Sequence, residues 1–267
     1  QDIIREYMAD LPGTLYEREW QDFAHNRSEA LALSRPMADY SLVIDADDVL
    51  ITPADFVIPE LAHDAYNLNI LDDPLIYPRV QLVRNSLPWR YRGVLHEFIT
   101  CDQENSTSTI PLAIRRNHDG ARRKEASVFL RDIEIFEKAL SSNKDPDLKA
   151  RYTFYLAQSY RDAKLPEKAL PIYLKRAKMG GWLEEVYISY YYAGKLMETM
   201  ACPEVDIVNA YNAATYVLPS RVEASHALAK YYRTNNKHEQ GYQTALAALG
   251  KPMPVGGVFV SAVPVVV

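Results

Sequence analysis

A small residue returns every 36 positions in the second half of the chain, at Ala157, Ala193 and Ala229. Each lies in a helix-period stretch: Leu156-Ala157-Gln158-Ser159-Tyr160, Tyr192-Ala193-Gly194, and Leu228-Ala229-Lys230-Tyr231-Tyr232. Self-similarity at this period predicts stacked helical pairs, because one pair alone cannot bury its apolar face. Small side chains let two helices approach closely, and the neighbouring aromatics fill the gaps. Tyr160, Ala169 and Tyr173 continue this pattern within one unit, and Tyr211, Ala214 and Pro219 close the next. The interval recurs only twice, so an ordinary helical bundle stays open as the alternative.

The first half reads differently. Asp22 is placed to cap a helix that ends at Pro36, with Ala30, Leu31 and Leu33 as its apolar positions. The run Tyr40-Ser41-Leu42-Val43-Ile44-Asp45 predicts a strand buried on both faces, as in a parallel sheet. Tyr66, Leu68 and Ile70 alternate, as do Val80 and Leu82, which predicts strands with one covered face. Leu112-Ala113-Ile114 reads as a further strand. The expectation is an α/β sheet domain with a mixed edge over 1–124, an all-α repeat domain over 125–250, and an apolar tail over 251–267.

Composition narrows the function classes. The 267 residues are 48% hydrophobic and 24% charged, which is globular. A net charge of −5 argues against a nucleic-acid binder. Cys101 and Cys202 stand in no metal-ligand spacing and read as free thiols of a reducing compartment. No apolar run of about 18 residues predicts a transmembrane helix. Gln1 opens directly into a charged, helix-like stretch rather than a signal peptide. The expected location is therefore cytoplasmic, or against the inner face of a membrane. The tail from Val255 to Val267, interrupted by Pro264, reads as a terminal strand or a membrane-facing segment.

The most informative polar group is Asp45-Ala46-Asp47-Asp48, delivered at the end of an apolar run. Open α/β sheets place their ligand crevice at such strand ends. Carboxylates this close repel one another, and a hard cation such as Mg²⁺ or Mn²⁺ would relieve that repulsion. It could also bridge the phosphates of a nucleotide diphosphate. A capped loop turning toward Pro53 is the competing reading.

Several segments together carry a family resemblance. They are Trp20 to Leu31, Ala38-Asp39-Tyr40 with the acid cluster, Trp89-Arg90-Tyr91-Arg92-Gly93-Val94-Leu95-His96-Glu97, and Asn117-His118-Asp119-Gly120. Arg131-Asp132-Ile133 and Phe154 to Asp162 extend them. In these the chain resembles bacterial-type family-2 glycosyltransferases of the GT-A fold, in the subgroup that carries tetratricopeptide-like repeats after the transferase domain. The resemblance implies an incomplete GT-A, Rossmann-like mixed sheet, since in that family a first strand and a strand-loop come before the helix that opens here. A sheet lacking them would expose an edge, which the tail ending Val265-Val266-Val267 could cover.

It also implies site roles. Asp45 and Asp47 match the metal-binding Asp-x-Asp, with Asp47 the direct ligand and Asp45 nearer the donor ribose. His118 matches a late histidine that completes the metal site, and a surface loop histidine is its alternative. Glu97 matches the base that deprotonates the acceptor; if Val94 to Ile99 is a strand, His96 points to the opposite face. Arg27 shares a helix face with Ala30 and Leu31 and wants an anionic partner, either a donor phosphate or the acid cluster, with a salt bridge to Asp45 as the structural version. Arg122, Arg123 and Lys124 would clamp the diphosphate, or form a solvated basic run. Trp89 and Tyr91 would make a platform for the acceptor, or belong to the core.

The implied activity is metal-dependent sugar transfer with inversion. The donor would be a nucleotide sugar, of the UDP type, and the acceptor a glycan, lipid-linked or protein molecule. The rival reading is a non-catalytic interaction module in which the repeats hold a protein partner on an aromatic face of Tyr187, Tyr190, Tyr191 and Tyr192. A metal-dependent hydrolase ranks lower, because no second metal cluster or activated nucleophile is visible.

Overall fold

Asp22 starts the first long helix as its spacing predicts. In the computed structural model, which describes residues 2–73, 75–117, 127–143 and 145–251, its side chain accepts the His25 amide at 2.7 Å. That bond satisfies one orphan donor of the helix terminus. The helix, α2, runs Phe23–Ser34 and passes into a 3-10 turn, Arg35–Met37, where Pro36 withholds an amide. A short helix before it, α1 at Asp2–Met8, buries none of its residues.

The strands are β1 Tyr40–Leu42, β2 Val49–Ile51, β3 Ala65–Asp72, β4 Leu75–Arg84, β5 Arg90–Arg92, β6 Phe98–Thr100 and β7 Thr107–Arg115. Five form a sheet in the order β1-β4-β3-β7-β2, and β5 pairs with β6 separately. Tyr66, Leu68 and Ile70 occupy the buried face of β3, as their alternation predicts.

The chain divides into two compact units. The first comprises residues up to Val43 with Glu60–Tyr66 and Val80–Ser108. In it β1 pairs antiparallel with β4, Tyr40 opposite Arg84 and Leu42 opposite Leu82. Leu31, Ala65, Val83 and Trp89 form its buried cluster. Hydrogen bonds pin α2 to β5 and the residue before it: the Tyr91 amide donates to Ser28 Oγ at 2.8 Å, and Arg35 Nη2 donates to the Trp89 carbonyl at 2.7 Å.

The second unit comprises Ile44–Pro59, Asn67–Arg79 and Thr109–Val267. Within it β2 pairs antiparallel with β7, Val49 opposite Arg115. Among the described residues seven α-helices follow: α3 Ser127–Ser142, α4 Lys149–Asp162, α5 Pro166–Ala177, α6 Leu183–Thr199, α7 Glu204–Val217, α8 Glu223–Thr234 and α9 His238–Ala248. Each packs chiefly on its neighbours in sequence, while α4 also touches α6 and α6 touches α8. The pairs α4/α5, α6/α7 and α8/α9 are thus hairpins whose first helices stand in one row, the nearest-neighbour packing of a repeat array.

The small residues do what their spacing predicts. Ala157, Ala169 and Ala193 have no exposed surface. A Cβ at Gly241 would lie 3.2 Å from the Ala229 carbonyl oxygen, so the backbones of α8 and α9 meet where both residues are small. Tyr160, Tyr173 and Tyr211 fill the space beside them and are buried.

Several expectations are corrected. The apolar run at Tyr40 makes a strand of only three residues, antiparallel and outermost in the sheet, with Leu42 and Ile44 each 38% exposed. Composition alone reads an apolar edge strand and a central parallel strand alike. In β4 the buried residues are Gln81 and Val83, not Val80 and Leu82, a one-position slip that exchanges the two faces. Adjacent β3 and β4 are separated by two residues, too few for the crossover a parallel pair needs. What stands is a mixed α/β chain with a sheet part and a helix-rich part; the GT-A arrangement is not observed.

Candidate functional site

The acid cluster forms a turn. After β1 the Asp48 amide donates to the Asp45 carbonyl at 3.0 Å, and Asn117 closes the turn from the far end of β7. Its amide donates to Asp48 Oδ1 at 3.3 Å and its side chain to the Asp47 carbonyl at 2.7 Å. Asp48 Oδ2 is buried with no hydrogen-bond partner among the described residues, and Arg116 beside it is paired with Asp72 at 3.2 Å. Among the described residues no group of three or more His, Cys, Asp or Glu side chains is placed to hold a metal ion. His118, Arg122, Arg123 and Lys124 lie outside the described residues.

Glu97 and Arg27 meet in the first unit. Arg27 Nε stands 3.0 Å from Glu97 Oε1, and its guanidinium lies over the Tyr91 ring at 5.6 Å. Glu97 is therefore an anionic partner of Arg27. The stretch Val94 to Ile99 is not one strand: β5 ends at Arg92, β6 begins at Phe98, and His96 turns with φ of 50°. The alternation of His96 and Glu97 across a sheet falls with it. Trp89 is 4% exposed and packs among Leu31, Ala65 and Val83, while Tyr91 is half-buried beneath Arg27.

The helical array carries the most developed polar chemistry. Arg176, at the end of α5, directs Nε and Nη2 to Glu185 Oε2 at 3.1 and 2.9 Å, and its Nη1 donates to the Gly180 carbonyl at 2.8 Å. Arg221, before α8, bonds Glu184 and Glu223. The Tyr187 hydroxyl donates to Glu223 at 3.1 Å and accepts the Ala224 amide at 2.9 Å. Burial pushes the Tyr187 hydroxyl strongly up, and the Glu223 charge adds to this. These ties join the α5–α6 turn to α6, and α6 to the start of α8. Sequence reading passed over them, although charges at helix-period positions inside apolar stretches, such as Arg176 before Ala177 and Glu185 before Val186, were the available signal.

The aromatic face of α6 is corrected. Tyr187 and Tyr191 are buried, at 0% and 6% exposure. Tyr192 is enclosed between the Tyr173 ring, stacked at 5.7 Å, and the Arg161 guanidinium at 4.0 Å. These rings bind the helices to one another, and Tyr190 and Tyr192 are half-buried. What the row of first helices offers instead follows from the 36-residue interval. Gln158, Gly194 and Lys230 occupy one equivalent position, Arg161, Met197 and Arg233 a second, and Asp162, Glu198 and Thr234 a third. Lys230, Arg233 and Thr234 are exposed, and Gln158, Arg161, Asp162 and Glu198 are half-buried. Gly194 and Met197, the α6 members of the first two positions, are buried, so the exposed polar groups at these positions lie on α8.

No protein-family model matches the chain, and no curated protein matches it. Among solved structures it is similar to MamA AMB-1, at 16% identity and TM-score 0.37, over 50% of this chain and 82% of that one. A second structure of MamA AMB-1 aligns at 16% and TM-score 0.38, over 51% and 79%. A further MamA structure aligns at 17% and TM-score 0.25, over 51% and 95%. The resemblance to family-2 glycosyltransferases is accordingly corrected: no such family matches, and the structures named are of MamA. Among the described residues no helix is long and apolar enough to cross a membrane.

Proposed function

We propose that the chain is a helical-repeat interaction module that holds a segment of a protein partner against the row formed by α4, α6 and α8. One observation supports this most: α4 touches α6 and α6 touches α8, so the first helices of successive hairpins share one face. A row of this kind is an extended surface on which equivalent positions repeat, the arrangement repeat proteins use for recognition. Its rigidity supports the reading. The rings between the helices are buried and the arginines at the turns are tied to carboxylates, so the surface is preformed rather than assembled on binding. The exposed cations Lys230 and Arg233 favour a segment carrying acidic side chains.

The test is selection from a random peptide library on the full chain, followed by affinity measurement with a Lys230→Glu/Arg233→Glu variant. Selected peptides should be acidic, and the variant should weaken them about tenfold, as two rim charge pairs would. Selection of no peptide, or of peptides indifferent to both substitutions, would overturn the reading.

A further inference from the structure

The second unit has a separate exposed feature that the helical row does not use. Strand β2 stands last in the sheet order and bonds β7 on one side, and no described strand lies on the other. An edge of this kind presents unpaired amides and carbonyls to any extended chain. Its side chains are apolar and open: Val49 is 42% and Leu50 37% exposed. Directly after it, Pro53, Phe56, Val57 and Pro59, together with Pro111 of β7, line an open apolar pocket. Proline supplies no amide donor, so this pocket favours an apolar side chain over a polar one. Asp47 before the strand and Asp55 after it are both exposed, and they bracket the edge with negative charge. Arg115, opposite Val49, is the cation of the strand pair itself.

From this geometry we propose that β2 is a second docking edge, which takes an extended apolar segment of a partner protein with Lys or Arg at its ends. The segment's backbone completes the ladder along β2, one apolar side chain enters the proline-lined pocket, and the terminal cations face Asp47 and Asp55. Backbone pairing supplies affinity, while the pocket and the flanking charges supply selectivity. The strand's three-residue length limits indiscriminate pairing, so the pocket and the acids must contribute.

The experiment uses the full chain and three fluorescein-labelled peptides: Arg-Val-Thr-Val-Ile-Lys, the same core with Glu at both ends, and Arg-Val-Pro-Val-Pro-Lys. The first should bind and slow hydrogen exchange at Val49–Ile51. The Glu-ended peptide should bind about fivefold more weakly, with the gap closing as salt rises, and the proline peptide should not bind. Asp47→Lys/Asp55→Lys, both at exposed positions, should reverse the order of the two charged peptides. Equal binding of all three, or binding of none, overturns the proposal. So do amides at Val49–Ile51 that already exchange slowly in the free chain and do not respond to peptide, which would assign the edge to the chain's own residues.

Discussion

Arg176 and Glu185 form an ion pair sealed inside the helical array, with side chains 1% and 4% exposed and two nitrogen–oxygen contacts of 2.9 and 3.1 Å. Such a pair gains little over apolar packing, but removing one partner strands the other charge. Arg176→Met should lower unfolding stability by about 3–5 kcal/mol, whereas Arg176→Met/Glu185→Leu should recover most of the loss. Urea unfolding followed by circular dichroism measures both. A double variant no more stable than the single one would show that the pair does more than neutralise itself.

Gly194 faces the ring of Tyr211, and a Cβ there would lie 2.8 to 3.0 Å from three of its carbons. Tyr211 is fully buried, with its hydroxyl bonded to Glu198, so it has no room to withdraw. Gly194→Ala gains up to about 1 kcal/mol of helix propensity. Overpacking costs about 1–3 kcal/mol, so the net effect should be destabilising. In a Tyr211→Ala background the same substitution should turn neutral or stabilising, a coupling that a double-mutant cycle reads directly.

Glu223 sets an acid limit on the array. Burial pushes its carboxyl up, but the hydrogen bond and charge of Arg221 outweigh that and hold it below the ordinary value of 4.5. A carboxyl whose folded value is depressed binds its proton less readily when folded. Its contribution is therefore complete above about pH 4.5 and is lost as pH falls through the lower folded value. Thermal melts from pH 6 to 3 should fall less steeply for Glu223→Gln than for the parent chain. Parallel curves would contradict the assignment.

At alkaline pH the tyrosines reverse the sign. Burial, aided by Glu137, pushes Tyr160 up to about 12, and burial pushes Tyr191 up to about 12. A phenol whose folded value is raised contributes stability that is complete below pH 10 and lost as pH rises toward 12. The phenolate absorbance of these two interhelical rings should appear only as the chain unfolds, and Tyr160→Phe should remove part of it.

How much of this was legible in the sequence depended on which physical constraint each residue obeys. Ala157, Ala193 and Ala229 announced the helix pairs because close backbone approach tolerates only small side chains, and that requirement repeats with the hairpin. Asp22 announced its helix because capping is local. The sheet was less legible, because strand order and direction depend on pairings between distant segments that leave no local mark. Tyr40 to Asp45 read as a central strand and proved to be an outer one. The polar sites were least legible. Arg27 meets Glu97 across 70 residues, and nothing in the composition around either names the other. The tyrosines of α6 read as a binding face because aromatic content alone does not say whether a ring faces solvent or the next helix.

The most direct test is hydrogen exchange on the full chain, with and without a peptide selected from the random library. Peptide bound to the helical row should slow exchange on the facing sides of α4, α6 and α8, most strongly around Lys230 and Arg233, and should dissociate faster when those two residues are reversed in charge. Slowed exchange confined to α5, α7 and α9, or spread evenly along the chain, would contradict it.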